Sequence, residues 1–244
     1  MSLLVVDGLS KRFGGLQAVN GLSFTVEAGG VVGLIGPNGA GKTTVFGLVS
    51  GFIRPDGGDV RFEGRSLLGV PPHAICARGL ARTFQIVRPF PNLTVLANVM
   101  VGALVRHPRR ADAEARAHAV LAEVGLGAKV AQRAGGLTLA ERKRLELART
   151  LATEPALLLL DEVMAGLNAS ETERIVDLVR AINARGIAVL LIEHVMRAVM
   201  SLSQRIVVIN YGERIAEGSP HAMANHPRVI EAYLGEAYAG PAPG

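Results

Sequence analysis

The sequence predicts an α/β fold with a strand-rich N-terminal layer, a parallel-sheet core and an inserted helical subdomain. Three observations carry that expectation. After Pro155, segments at residues 156–160, 170–184, 187–192, 195–202 and 206–209 read strand, helix, strand, helix, strand, and the strands are apolar throughout. Such strands suit a parallel sheet covered on both faces. Residues 89–155 read as helical, because 111–124 and 139–153 are rich in helix formers with apolar positions near helical spacing. Residues 3–64 hold short apolar runs separated by turn signals.

Taken in order, the N-terminal runs lie at 3–6, 22–26, 31–35 and 60–62, the last after the turn Pro55-Asp56-Gly57-Gly58. A helix-compatible stretch occupies 44–50. The box Ser170-Glu171-Thr172-Glu173 is expected to start the helix at 170, and Gly186 to close it. The expected organisation is one domain over 1–238, its helical subdomain at about 89–155, followed by an Ala/Gly/Pro tail at 239–244 that reads as frayed.

Composition narrows the class. With 244 residues, 49% of them apolar, the chain can bury one sizeable core. No apolar run approaches the roughly 18 residues that span a bilayer, so the chain is not expected to cross one. The first six residues lack a basic n-region and Asp7 follows at once, so no secretory signal is expected. Cys76 is the single cysteine, which excludes an internal disulfide and fits a reducing cytoplasm. The net charge of +5 is carried by scattered residues and aromatics are only 4%. That leaves little for base stacking, and no nucleic-acid partner is expected.

Gly36-Pro37-Asn38-Gly39-Ala40-Gly41-Lys42-Thr43 fits GxxxxGK[ST] and stands directly after the apolar run 31–35, with Thr44 opening the helical stretch. Strand, loop and helix are the context this motif requires. Glycines let backbone N–H groups curl around phosphate oxygens while the helix N-terminus adds positive potential. Lys42 would reach the β/γ-phosphates of a nucleotide, and the Thr43 hydroxyl would ligate Mg²⁺. The loop alone leaves kinases, GTPases, helicases and transport ATPases open. A second acidic site narrows them. Leu157-Leu158-Leu159-Leu160-Asp161-Glu162 reads as a buried strand ending in two carboxylates. Asp161 would hold Mg²⁺ through water, and Glu162 would polarise the attacking water as general base. The alternative is a pair of strand-end carboxylates that cap a helix.

The order of phosphate loop, Thr83-Phe84-Gln85, Leu137-Thr138-Leu139-Ala140-Glu141, Asp161-Glu162, Ala165-Gly166-Leu167-Asn168 and strand-end His194 resembles an ATP-binding cassette (ABC) transporter ATPase over residues 3–234. The resemblance implies a P-loop NTPase of ABC-cassette type. It places Phe13 against adenine and Val19 beside the ribose or base; an ordinary buried aromatic is the alternative for Phe13. Gln85 would touch Mg²⁺ or the attacking water and sense the transmembrane partner, and His194 would meet the γ-phosphate. Thr138, Ala140 and Glu141 belong to the signature segment that faces the other subunit's ATP, and Asn168, where the family typically has Asp, to a loop facing the opposite subunit. Two ATP molecules would be sandwiched between two cassettes.

Three departures from the family pattern stand out. The usual LSGGQ-like signature is Leu-Thr-Leu-Ala-Glu, Val163 replaces the Pro common after the catalytic Glu, and Val195 follows His194 where Asp is frequent. Thr138 and Glu141 also fit a capping box, so helix capping competes with nucleotide contact for the same atoms.

Within the family, Ala81-Arg82-Thr83-Phe84-Gln85, Leu191-Ile192-Glu193-His194 and His226-Pro227-Arg228-Val229-Ile230-Glu231-Ala232-Tyr233-Leu234-Gly235-Glu236 are similar to the ATPases of branched-chain amino acid uptake. That likeness implies transmembrane permease subunits, a second cassette that is a copy or a sister chain, and indirectly a solute-binding protein. It places the chain on the cytoplasmic face of a bacterial inner membrane. Urea, amides and aromatic acids are other cargoes of the same subfamily. Cassettes of lipid or lipopolysaccharide export and non-transport ABC ATPases are the alternatives; the latter typically carry two cassettes or a long coiled-coil insertion.

Overall fold

A computed structural model describes residues 2–238; the tail at 239–244 lies outside the described residues. The chain runs β1 (Ser2–Phe13), β2 (Leu16–Glu27), β3 (Val31–Ile35), α1 (Lys42–Val49), β4 (Gly57–Phe62), β5 (Arg65–Ser66), α2 (Pro72–Ala77) and β6 (Leu80–Arg82). It continues through α3 (Val95–Ala103), α4 (Arg110–Glu123), α5 (Leu139–Leu151), β7 (Leu157–Asp161), α6 (Ala169–Ala184) and β8 (Ala188–Ile192). The last elements are α7 (Met196–Leu202), β9 (Arg205–Asn210), β10 (Glu213–Gly218), α8 (Pro220–Ala224) and α9 (Pro227–Tyr238).

Two sheets form. The N-terminal one is antiparallel, in the order β2-β1-β4-β5. The central one has the order β10-β9-β3-β8-β7-β6, parallel except for β10 at its edge. The run at 31–35 was expected in the N-terminal layer and instead lies in the middle of the parallel sheet. Its five buried residues explain this, since a strand with no solvent face needs neighbours above and below.

Alternation along the parallel strands separates two cores. Val31, Ile35, Leu158, Leu160, Val189 and Leu191 face one side, where α3 to α7 pack. Val32, Leu34, Leu157, Leu159, Leu190 and Ile192 face the other, against Val45, Phe46 and Val49 of α1 and the antiparallel sheet. The period-2 rule of a strand thus delivers one layer of cover to each face.

Helix α6 corrects one expectation. Its cap is Asn168, whose side chain accepts from Glu171 N while Glu171 closes the box on the Asn168 backbone. The reading from Ser170 and Glu173 was shifted by two residues, because Asn caps as well as Ser and an Asn-x-x-Glu frame overlaps the Ser-x-x-Glu one. Gly186 does end the segment, at φ 90.

Candidate nucleotide site

The carboxyl ends of four adjacent parallel strands meet on one edge of the central sheet. After β3 comes the glycine loop; after β8, Glu193 and His194; after β7, Glu162; after β6, Thr83 to Gln85. In open α/β sheets ligands bind at this edge, so topology alone gathers the expected residues.

The loop folds as its composition dictates. A Cβ on Gly36 would lie 2.0 Å from Ile209 O, and one on Gly41, at φ 101, would lie 2.3 Å from Ala18 O. Neither position admits another residue without moving backbone. Lys42 is buried, and its ammonium donates to Gly36 O at 2.6 Å and Pro37 O at 2.7 Å, drawing the loop into a cradle around its own base. Asn38, Gly39 and Thr43 are exposed on the cradle, Thr44 is half-buried, and Pro37 and Ala40 are buried beneath it. Gly212 N donates to Ala40 O at 3.0 Å, bracing the loop from behind.

Phe13, at the β1–β2 turn, is 47% exposed and carries the Lys11 ammonium 5.4 Å from its ring centre. It is therefore no ordinary core aromatic. Val19, expected beside ribose or base, is fully buried and supports the wall behind Gly41 and Gly212. Its side chain offers no open face in this structure.

Asp161 ends β7 in the interior. Its Oδ2 accepts from Arg82 at 2.7 Å, while among the described residues Oδ1 is buried with no hydrogen-bond partner. Burial pushes this carboxyl above its ordinary value and Arg82 opposes the shift. Glu162 follows at φ 50, a left-handed conformation that costs a non-glycine residue about 1 kcal/mol. Its carboxylate is clasped from both sides: Gln85 Nε2 donates to Oε2 at 2.7 Å, and His194 Nε2 lies 2.9 Å from Oε1. The Asp161 and Glu162 side chains therefore do not cap a helix. A carboxylate so aimed, with two polar partners to hold its rotamer, has what a proton acceptor requires.

At the start of α5, Thr138 Oγ1 accepts from Glu141 N and Glu141 Oε2 accepts from Thr138 N at 3.0 Å, which completes the capping box. Glu141 Oε1 also pairs with Lys129 at 2.5 Å, and this partner holds its carboxyl below the ordinary range. Ala140 is half-buried beside them. Leu139 lies under Gly166, where an added Cβ would come within 3.0 Å of Leu139 Cδ2, so the loop bearing the exposed Asn168 rests on the start of α5.

Several residues at the site went unassigned in the sequence. Arg82 holds Asp161. Thr83, fully buried, accepts from Asp161 N at 3.1 Å. Glu146 accepts from Phe84 N, Lys143 donates to Glu162 O, and Glu193 Oε1 accepts from Met164 N at 2.9 Å. A signal did exist for Lys143, which stands one and two turns before the buried Leu147 and Leu151, in phase with the apolar stripe of α5.

Burial raises both Glu146 and Glu193 to about 7. A carboxyl whose folded pKa lies above its unfolded value costs stability as pH rises from about 4.5 through about 7, because the unfolded chain ionises first. Glu193→Gln, which keeps an acceptor for Met164 N–H, is expected to match wild type near pH 4.5 and exceed its stability at pH 8 by on the order of 1–3 kcal/mol. Urea unfolding at both pH values reads this directly. A difference that did not change with pH would contradict it.

Comparison with known proteins agrees with this geometry. Residues 19–165 match the ABC transporter family, and residues 213–239 match the family described as branched-chain amino acid ATP-binding cassette transporter. The high-affinity branched-chain amino acid transport ATP-binding protein BraF of Pseudomonas aeruginosa is 45% identical, with 96% of this chain and 98% of the relative covered. LivG of Escherichia coli K12, named in the same terms, is 43% identical at the same coverage. The crystal structure of MJ1267 in its ADP conformation, an ATP-binding cassette of an ABC transporter, superposes with a TM-score of 0.87 at 30% identity, over 96% of this chain and 99% of that one. The chain thus belongs to the ABC transporter family as its ATP-binding cassette, an ATPase.

Proposed function

We propose that the chain is the ATP-hydrolysing subunit of an importer for branched-chain amino acids or similar small solutes, working as one of two cassettes beneath membrane-spanning permease subunits. The observation that carries its catalytic half is the Glu162 carboxylate, held between Gln85 and His194 at the end of β7, which β8 separates from the β3 strand that leads into the phosphate loop. Glu162 acts as general base toward the attacking water, Lys42 meets the β/γ-phosphates, His194 the γ-phosphate, and Phe13 stacks on adenine.

Mg²⁺ fits the donors present. The Oδ1 of Asp161, without a hydrogen-bond partner among the described residues, is an acceptor suited to a metal-bound water, and the exposed Thr43 stands at the first turn of α1. One or two carboxylates, waters and substrate phosphates are the usual set for this ion. When bound, it would neutralise charge developing on the transferred phosphate.

The permease would dock on the seam between the central sheet and α3 to α5. A cleft of about 180 Å³ opens there, lined by Cys76, Arg82, Phe84, Val101, Glu146 and Arg149. Around it, Phe52, Phe84, Ile86, Phe90, Val101 and Leu104 are all exposed apolar side chains, a surface that calls for a partner. No helix among the described residues is long and apolar enough to cross a membrane. On the likeness to importer ATP-binding subunits, the cassette would sit peripherally, on the cytoplasmic face of a bacterial inner membrane, with a solute-binding protein delivering cargo from the other side. Affinity purification from membranes is expected to bring down permease chains identifiable by mass, and the reconstituted complex to hydrolyse ATP faster with leucine, isoleucine or valine plus the binding protein. Permeases of a lipid exporter in the pull-down would refute the importer assignment.

The same reading gives the signature a testable charge. If the start of α5 faces the other subunit's ATP, Glu141 and Lys129 together present a neutral pair. Glu141→Gln keeps a cap and leaves the lysine's charge toward the phosphates. ATP-driven dimerisation is expected to tighten roughly twofold to fivefold at low salt, the range of an exposed pair, and less at high salt. Analytical ultracentrifugation in the Glu162→Gln background measures it; an unchanged constant at both salt concentrations would leave Glu141 as a cap alone.

A further inference from the structure

We propose that Lys143 is a positioning residue for Glu162, through which the first turns of α5 hold the main chain of the general base. The inference rests on the reading of Glu162 as that base. Lys143 is 5% exposed, and its ammonium donates to two main-chain carbonyls, Glu162 O at 2.9 Å and Gln85 O at 3.3 Å. Those two residues are also joined by their side chains, Gln85 Nε2 to Glu162 Oε2. A closed ring of contacts therefore links α5, the end of β7 and the segment after β6.

Such a link matters because Glu162 sits at φ 50, a conformation that costs a residue with a Cβ about 1 kcal/mol. Its N–H is held by Ile192 O at 2.9 Å, and its carbonyl accepts from Ala165 N at 3.2 Å as well as from Lys143. Among the described residues, the lysine contact alone comes from another part of the chain to the carbonyl side of this residue. An ammonium suits the place for a second reason. Asp161, Glu146 and Glu193 are all buried carboxyls that its charge favours in their ionised forms, so one flexible stem satisfies two carbonyls and balances three acids. Lys143 also lies little more than one turn beyond Thr138, at the end of the helix that carries the signature segment. A displacement of that helix end relative to the sheet would be felt at the backbone of the base.

The test is a cycle of variants on the full chain, reading kcat for ATP and ATP affinity separately. Lys143→Met, close in volume but without donors, is expected to lower kcat at least tenfold with ATP Kd within twofold of wild type. Lys143→Arg keeps charge and donors on a longer planar head and is expected to recover most of kcat, remaining two- to fivefold below wild type. Neither change should further lower the residual turnover of Glu162→Gln, because positioning has no effect once the base is gone. An equal fractional loss in the Glu162→Gln background, or wild-type kcat in either single variant, would overturn the assignment. If Lys143→Met does not fold, Lys143→Arg runs the same cycle alone. Glu162→Gln turning over at the wild-type rate would instead show that the reading of the base had failed, independently of Lys143.

Discussion

Glu162→Gln is expected to lower ATP turnover roughly 10²- to 10⁴-fold, the usual contribution of a general base, while ATP affinity stays nearly unchanged. The structure supplies the reason for that split. Glu162 stands at the end of β7, whereas the exposed face of the phosphate cradle is built from backbone and Thr43 on the turn between β3 and α1. Gln has the same length, and its amide oxygen can still accept from Gln85 Nε2. What disappears is the capacity to take a proton from water. With hydrolysis blocked, ATP would persist in the site and hold two cassettes together, so size-exclusion chromatography with ATP is expected to show a dimer for the variant and mainly monomer for wild type. A variant with wild-type turnover would remove Glu162 from this role.

The chemistry of the site was legible where it depends on local pattern. A glycine-rich turn between an apolar strand and a helix has few ways to fold, and Gly36 and Gly41 occupy the places where a Cβ would strike backbone. The apolar run ending in Asp161 and Glu162 was equally plain, since four consecutive leucines followed by two acids read as a strand emerging at a sheet edge. The capping box at Thr138 was visible for the same reason, being contained within four residues.

Other features stayed hidden because they depend on pairing across the chain. The run at 31–35 could be assigned to a sheet only through its register with β8 and β9, strands about 155 to 180 residues away. The partner of Asp161 is Arg82, contributed by the edge strand β6, which is three residues long and too short to leave a periodic signal. Glu146 and Glu193 leave no local sign of their burial; burial makes them a network with Lys143 that only the folded chain brings together. Phe13 shows the converse, since its exposure separates a surface ring from a core ring and cannot be read from its neighbours in sequence.

Lys42→Ala is expected to act before hydrolysis, at binding itself. In the structure the ammonium is buried and donates to the Gly36 and Pro37 carbonyls, so it stands ready inside the cradle with its stem already ordered. An ATP molecule entering the loop would exchange these neutral acceptors for phosphate oxygens, a charge-assisted contact worth roughly 1.5–3 kcal/mol, or about ten- to 150-fold in affinity. Truncation to Ala removes that contact and leaves two loop carbonyls without this donor, which should also loosen the turn. The two consequences can be separated by the ligand. Isothermal titration is expected to show a large loss of affinity for ATP and ADP and little change for AMP, which lacks the phosphates the lysine meets. Equal losses for all three would mean that the loop had collapsed as a whole. Wild-type affinity for ATP together with wild-type turnover would defeat the assignment of residues 36–44 as the phosphate-binding loop, since among the described residues no other buried cation at this sheet edge is placed to take over the contact: Arg82 is engaged by Asp161, and Lys143 by the carbonyls of Gln85 and Glu162.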